Sequence, residues 1–154
     1  MKQVFQDVSS GETRVVDIPV PACRPGQLLI RSRASLISAG TERSLVEFGR
    51  AGYLAKARQQ PDKVKMVLDK VRTDGLVPTV EAVRSKLAEP LPMGYSNVGV
   101  VIEVGAGIDD VKVGDRVLSN GRHAEVVGVP RNLCAPVPDG LPDEAAAFGV
   151  LGAI

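Results

Sequence analysis

Gly94–Val117 reads GYSNVGVVIEVGAGIDDVKVGDRV, and its spacing sets the expected fold. Val98, Val100, Ile102 and Val104 alternate with Gly99, Val101, Glu103 and Gly105, a period of two that places one apolar row on one face of a β-strand. Gly105 and Gly107 are suited to the positive φ of a tight turn. After Asp109 and Asp110 a second short alternation, Val111 and Val113, leads into the turn dipeptide Gly114-Asp115 before Val117 resumes a strand. The whole stretch reads as a hairpin.

Working outward, Met1 to Val8 and Thr13 to Val20 read as two strands joined by a polar loop, Ser9-Ser10-Gly11-Glu12. Pro19, Pro21 and Pro25 interrupt regular structure. Pro25-Gly26 is a turn pair, and Gln27 to Ser38 reads as one long strand. Thr41 to Pro90 changes character. Val64, Val67, Leu68 and Val71 fall at helical spacing, with Pro61 fit for a first turn and Gly75 for a helix end. A further helix is expected from about Pro78, carrying Val80, Val83 and Leu87. Leu45 with Phe48, and Leu54 with Ala57, suggest two shorter helical pieces separated by Gly49 and Gly52. Beyond the hairpin, Arg122 to Pro130 and Leu133 to Val137 read as strands. Pro138-Asp139-Gly140 then turns into a helix start in which Pro142 precedes Asp143, Glu144 and an alanine run, with the carboxylates at the positive end of the helix dipole.

Composition bounds the function. The chain has 154 residues, enough for one domain with a real core and too few for a barrel plus a dinucleotide-binding domain. Net charge is +1, so no bulk field favours nucleic acid or a membrane surface, and the 3% aromatic content argues against base-stacking platforms. No apolar run is long enough to span a bilayer. Cys23 and Cys134 lack CxxC spacing and no signal peptide stands near Met1, so a cytoplasmic location is expected. Between Arg43 and Leu87 ten Lys or Arg face five Asp or Glu, a net +5 against −4 elsewhere. That reads as a solvated helical face, or as a basic wall over an anionic or sugar-like substrate.

The strand ending in VxxVG followed by VGDRV resembles the N-terminal domain of the medium-chain dehydrogenase/reductase family, the alcohol-dehydrogenase-like and quinone-reductase-like enzymes. The resemblance covers Met1 to Ser38 and Leu91 to Ile154 and implies a mainly β fold with α, a GroES-like partly open β-barrel carrying a helical insertion. It divides the chain into a first barrel part at 1–40, the insertion at 41–90, a second barrel part at 91–140, and at 141–154 the start of a helix leading to a nucleotide-binding domain outside the chain. The resemblance also implies that zinc-containing members place a cysteine where Ser38 stands, and a His-Glu pair where Tyr95-Ser96 stand. Neither serine nor tyrosine is a good zinc ligand at neutral pH, and only Leu118 to Arg122 separates Val117 from His123, leaving no room for a four-cysteine lobe. No zinc is expected, and the zinc-independent branch is the implied one.

Moving a hydride without zinc still requires a group that manages the proton. Ser38, Thr41, Tyr95, Ser96 and His123 are the catalytic candidates. Each also has a plain structural reading: His123 as a partly exposed surface or hydrogen-bonding residue at a strand start, Tyr95 as a packed ring with its hydroxyl satisfied, the hydroxyls of Ser38 and Thr41 as loop supports. Glu42 and Arg43 are expected to pair with each other or to cap a helix, with no catalytic part. Gly105-Ala106-Gly107 does not open a helix, so NAD or NADP is expected to bind through the domain outside the chain, and this stretch alone weakly or not at all. The runs SAGTER, QQPDKVKMVLDKVRTDGL and PLPMGYSN are similar to bacterial two-part oxidoreductases, which implies a sugar-type small-molecule substrate. A homo-oligomeric parent is a further expectation. The leading reading is the substrate-side domain of a zinc-independent, NAD(P)-dependent oxidoreductase. The alternatives are a non-enzymatic GroES-like binding or assembly module and a scaffold that has lost catalysis.

Overall fold

A computed structural model describes residues 1–8 and 10–150. Ser9 of the expected hairpin loop and residues 151–154 of the expected terminal segment lie outside the described residues, as do the side chains of Phe48, Leu54 and Leu87. The elements run β1 (Lys2–Gln6), β2 (Thr13–Asp17), β3 (Gln27–Ser35), α1 (Thr41–Arg50), α2 (Tyr53–Gln59), α3 (Pro61–Asp74), α4 (Leu76–Ala88), β4 (Leu91–Pro92), β5 (Asn97–Val104), β6 (Arg116–Ser119), β7 (Val126–Pro130), β8 (Cys134–Pro136) and α5 (Asp143–Ala146). Five strands form an antiparallel sheet in the order β7-β3-β5-β6-β8, and three form a smaller one in the order β2-β1-β4. The larger sheet curls into the half-barrel of a mainly β, GroES-like fold with a helical insertion.

The chain divides into two compact units. One takes Met1–Val4, Val15–Glu42 and the chain from Pro92 onward; the other takes Phe5–Arg14 and Arg43–Leu91. In the first unit the inner face of the sheet packs Leu28, Ile30, Val101, Val117, Val127, Val129 and Cys134. Leu28 and Ile30 are wholly enclosed, each stabilising the fold by about 2 kcal/mol through burial. The opposite face buries Val98 and Leu118 against Val137, Ala146, Ala147 and Val150, so the turn of helix at α5 serves as the cover of a second core. In the other unit Pro61 occupies the first turn of α3, and Gly75, at φ +91, separates α3 from α4.

Several expectations need correction. The row Val98, Val100, Ile102 and Val104 does not share one face. Ile30 stands opposite Val101 while Leu29 stands opposite Glu103, so the pairing skips Ile102, and a second irregularity falls between Ser32 and Ala34. A bulge of this kind shifts the alternation by one, which turns Val98 to one core and Val101 with Val104 to the other. Gly105 has no positive φ; it is required because a Cβ there would lie 2.0 Å from the Arg24 carbonyl oxygen. Gly107 and Gly114 do adopt positive φ. Val111 and Val113 form no strand: Val111 packs on the inner core and Val113 is exposed, so a loop rather than a tight turn joins β5 to β6. Strand β3 ends at Ser35 rather than Ser38, β7 starts at Val126 rather than Arg122, and α4 starts at Leu76, ahead of Pro78.

Candidate functional site

Three connections of the first unit meet beyond the end of β3. The first is Leu36–Gly40, which leaves β3 and enters α1. Next, Met93–Ser96 joins β4 to β5. The third, Asn120–Glu125, joins β6 to β7 and carries the single histidine. Leu36 N–H donates to the Ser96 carbonyl at 3.1 Å, which ties the first connection to the second. Between them opens a cleft of about 320 Å³ lined by Leu36, Ser38, Tyr95, Ser96, Ala147 and Phe148, among others. A larger cavity, about 380 Å³, is lined by Gln3, Pro19, Asn120, Arg122 and valines of β7, and holds none of the five candidates.

Ser38, Tyr95 and Ser96 therefore come together. Their chemical freedom differs. Ser96 is buried, and its Oγ donates to the Ala147 carbonyl at 2.5 Å, so that hydroxyl secures the segment after α5 and has no proton to spare. Ser38 Oγ accepts from the Thr41 amide at 3.4 Å, which leaves its own O–H to donate. The Tyr95 hydroxyl has no hydrogen-bond partner among the described residues, and the ring is only half-buried. Thr41 is exposed at the start of α1 and does not line the cleft.

His123 does not line the cleft and is hydrogen-bonded at both ring nitrogens. Its side chain is 9% exposed, and Nε2 stands 2.6 Å from Oε1 of Glu42, itself 6% exposed. A carboxylate only accepts, so Nε2 carries the proton of this bond. Nδ1 stands 2.9 Å from the exposed Ser35 hydroxyl. The second Glu42 oxygen, Oε2, accepts from the Ser38 N–H at 2.9 Å. Glu42 thus does not pair with Arg43, which bridges to Glu47 one turn along α1. Sequence reasoning missed Glu42 because its partner lies 81 residues away; the available signal was the Ser38–Glu42 spacing, one helical turn across a helix start.

On the far side of the cleft, Asp143 at the start of α5 receives Arg33 at 3.2 Å and Arg116 at 3.1 Å, and Arg116 also donates to the Leu141 carbonyl. These bonds fix the segment that presents Ala147 and Phe148. Cys134 offers no nucleophile, since burial pushes its thiol up to about 11.

Two groups associated with the resemblance can be tested against these side chains. The cleft offers two hydroxymethyl groups and a phenol, with no thiolate, imidazole or carboxylate among the lining residues, and this donor set does not fit a zinc ion. No group of three His, Cys, Asp or Glu side chains suited to a metal occurs among the described residues. The glycines after β5 do not form a pyrophosphate site of the βαβ kind, since they lead into a loop and β6 and not into a helix N-terminus. No helix among the described residues is long and apolar enough to cross a membrane.

Comparison with known proteins places these features in a family. The description "Alcohol dehydrogenase GroES-like domain" matches residues 64–153. The chain is similar to a probable quinone oxidoreductase of Leishmania amazonensis, 39% identical over 56 residues, which is 35% of this chain and 16% of that protein. Among solved structures it is similar to the quinone oxidoreductase of Coxiella burnetii, with a TM-score of 0.63 at 21% identity over 96% of this chain and 40% of that one. It is also similar to a mycobacterial protein solved in complex with NADPH, with a TM-score of 0.57 at 25% identity over 96% of this chain and 37% of that one. The chain thus spans well under half the length of each of these proteins. Since the matched residues make up more than half of its length, the chain belongs to the alcohol dehydrogenase GroES-like domain family.

Proposed function

We propose that this chain forms the substrate side of a zinc-independent, NAD(P)-dependent oxidoreductase in the cytoplasm, acting on a small alcohol or carbonyl of sugar type. The observation that carries the reading is the Tyr95 hydroxyl, without a partner among the described residues, in a cleft that also holds the Ser38 hydroxyl. As negative charge grows on a carbonyl oxygen under reduction, a fixed phenol O–H and a serine O–H stabilise it far better than mobile water does. Tyr95 is the proton donor in this scheme and Ser38 holds the substrate oxygen beside it, with the half-buried Leu36 and the exposed Phe148 ring as apolar lining. The NADPH complex of the mycobacterial neighbour supports the choice of cofactor. A nicotinamide held by a domain outside these residues would supply hydride chemistry, and the residues here would handle only the substrate oxygen and its proton. The sugar-type substrate rests on the likeness of SAGTER and PLPMGYSN to two-part bacterial oxidoreductases.

The test uses the full-length protein with NADH and NADPH against panels of aldehydes, ketones, quinones and sugars. Tyr95→Phe is expected to lower kcat by about 100-fold or more, and Ser38→Ala by about tenfold. Prolonged EDTA treatment should leave activity intact. Full activity in Tyr95→Phe, or stoichiometric zinc whose removal abolishes turnover, would overturn the reading.

A further inference from the structure

The two walls of the cleft share a support that neither lines it nor serves the fold's two cores. Glu42 uses one carboxylate oxygen to hold the Ser38 amide and the other to hold His123. His123 in turn is pressed against the second wall. A Cβ on Gly94, the residue before Tyr95, would lie 2.5 Å from the His123 amide nitrogen and 2.7 Å from its ring Cγ. The His123 N–H donates to the Met93 carbonyl at 2.9 Å, and the neighbouring Arg122 donates to the Gly94 carbonyl at 3.0 Å. Ser35, at the end of β3, fixes the ring from its other nitrogen at 2.9 Å. The chain of contacts therefore runs from Ser38 through Glu42 and His123 to the peptide that precedes Tyr95.

We propose that Glu42 and His123 are positioning residues, a buried hydrogen-bonded pair that holds Ser38 and Tyr95 at their working separation across the cleft. This rests on the proposed role of the cleft in oxidoreduction. The pair touches no substrate. It acts by restricting two short connections that would otherwise move independently, and a displacement of about 1 Å between a donor and its reacting oxygen is enough to cost orders of magnitude in rate. Both acceptor sites of Glu42 are used, whereas Glu42→Gln keeps the Ser38 bond through its carbonyl and can reach His123 only by donating to the other imidazole tautomer, whose Nδ1–H then faces the Ser35 hydroxyl.

The experiment measures kcat and KM for the full-length enzyme and for Glu42→Ala, Glu42→Gln, His123→Ala, His123→Gln and the double alanine variant. Glu42→Ala and His123→Ala are each expected to lose about tenfold or more, mainly in kcat, and Glu42→Gln less than Glu42→Ala, with the double alanine variant no worse than the worse single. His123→Gln places an N–H donor near the position of Nε2, so it should recover part of the loss without disturbing folding. Losses that multiply in the double variant, or an unchanged kcat in both alanine variants, would overturn the proposal. Amide exchange supplies a readout independent of turnover: Glu42→Ala should speed exchange at Ser38 by about tenfold or more, and unchanged exchange would overturn the clamp. A wild-type enzyme inactive with every cofactor and substrate would sink the proposed function, while the Ser38 exchange would still decide whether the clamp exists.

Discussion

At Gly94 the backbone runs at φ +93, and an added Cβ would stand against the main chain of His123, which is itself pinned to Met93. Backbone atoms cannot rotate away as a side-chain tip can. Gly107 has a similar φ of +87 with nothing within 4 Å of the added atom. The pair separates conformational strain from steric exclusion. Gly107→Ala should cost about 1 kcal/mol, the left-handed penalty alone, and Gly94→Ala about 3 kcal/mol or more, read from denaturant midpoints. Equal costs would show that His123 does not press on Gly94. At this scale the meeting of Ser38, Tyr95 and Ser96 in one cleft is legible in the sequence, Ser38 by counting from Ala34 and Tyr95-Ser96 by the place of the family's His-Glu pair. The partnership of Glu42 with His123 is not. An acid at a helix start looks like a cap, and nothing local shows that a loop 81 residues later delivers an imidazole to it.

The helix α3 was read almost to its ends, since Pro61 and Gly75 are punctuation that acts through their own φ angles, independent of any neighbour. The alternation in β5 marks the strand but not its faces, because the bulge opposite Leu29 and Ile30 depends on the partner strand and leaves no mark in β5 itself. The loop after β5 shows the same dependence. Its spacing suggests a tight turn and a strand, whereas Asp110 reaches across to Arg131, whose Nε and Nη2 lie 3.0 and 2.6 Å from its carboxylate oxygens. The bond from Arg131 holds the Asp110 carboxyl below its ordinary range. With the folded value depressed, the unfolded chain binds the proton first as pH falls. The pair's contribution is therefore full above the ordinary aspartate range and is lost as pH drops through the lower folded value. Thermal melts of wild type and Asp110→Asn should show a small gap at pH 6, limited by solvent screening, that closes in acid. A gap that widens in acid would contradict the pairing.

Across the whole molecule, burial is distributed very unevenly between elements. Among the described residues the two hydrophobic cores draw only on the first unit, and β3 lies between two strands, with Leu28 and Ile30 fully enclosed. Helix α3 buries no residue. Val64, Val67 and Val71 are half-covered, Leu68 and Met66 are exposed, and its ion pairs, Lys70 with Asp74 and Arg72 with Asp69, are open to solvent. Exposed pairs of this kind add a few tenths of a kcal/mol each, too little to offset the entropy of an ordered turn. Opening α3 therefore exposes little apolar surface that folding had hidden, whereas freeing the amides of β3 requires breaking the inner core. Native-state hydrogen exchange should show α3 amides protected about 100-fold less than those of Leu28, Ile30 and Val101, with a shallow dependence on denaturant that marks local opening. The β3 and β5 amides should follow the steep dependence of global unfolding. Equal protection and equal slopes would mean that α3 opens only with the barrel, in one cooperative step that burial in α3 does not account for.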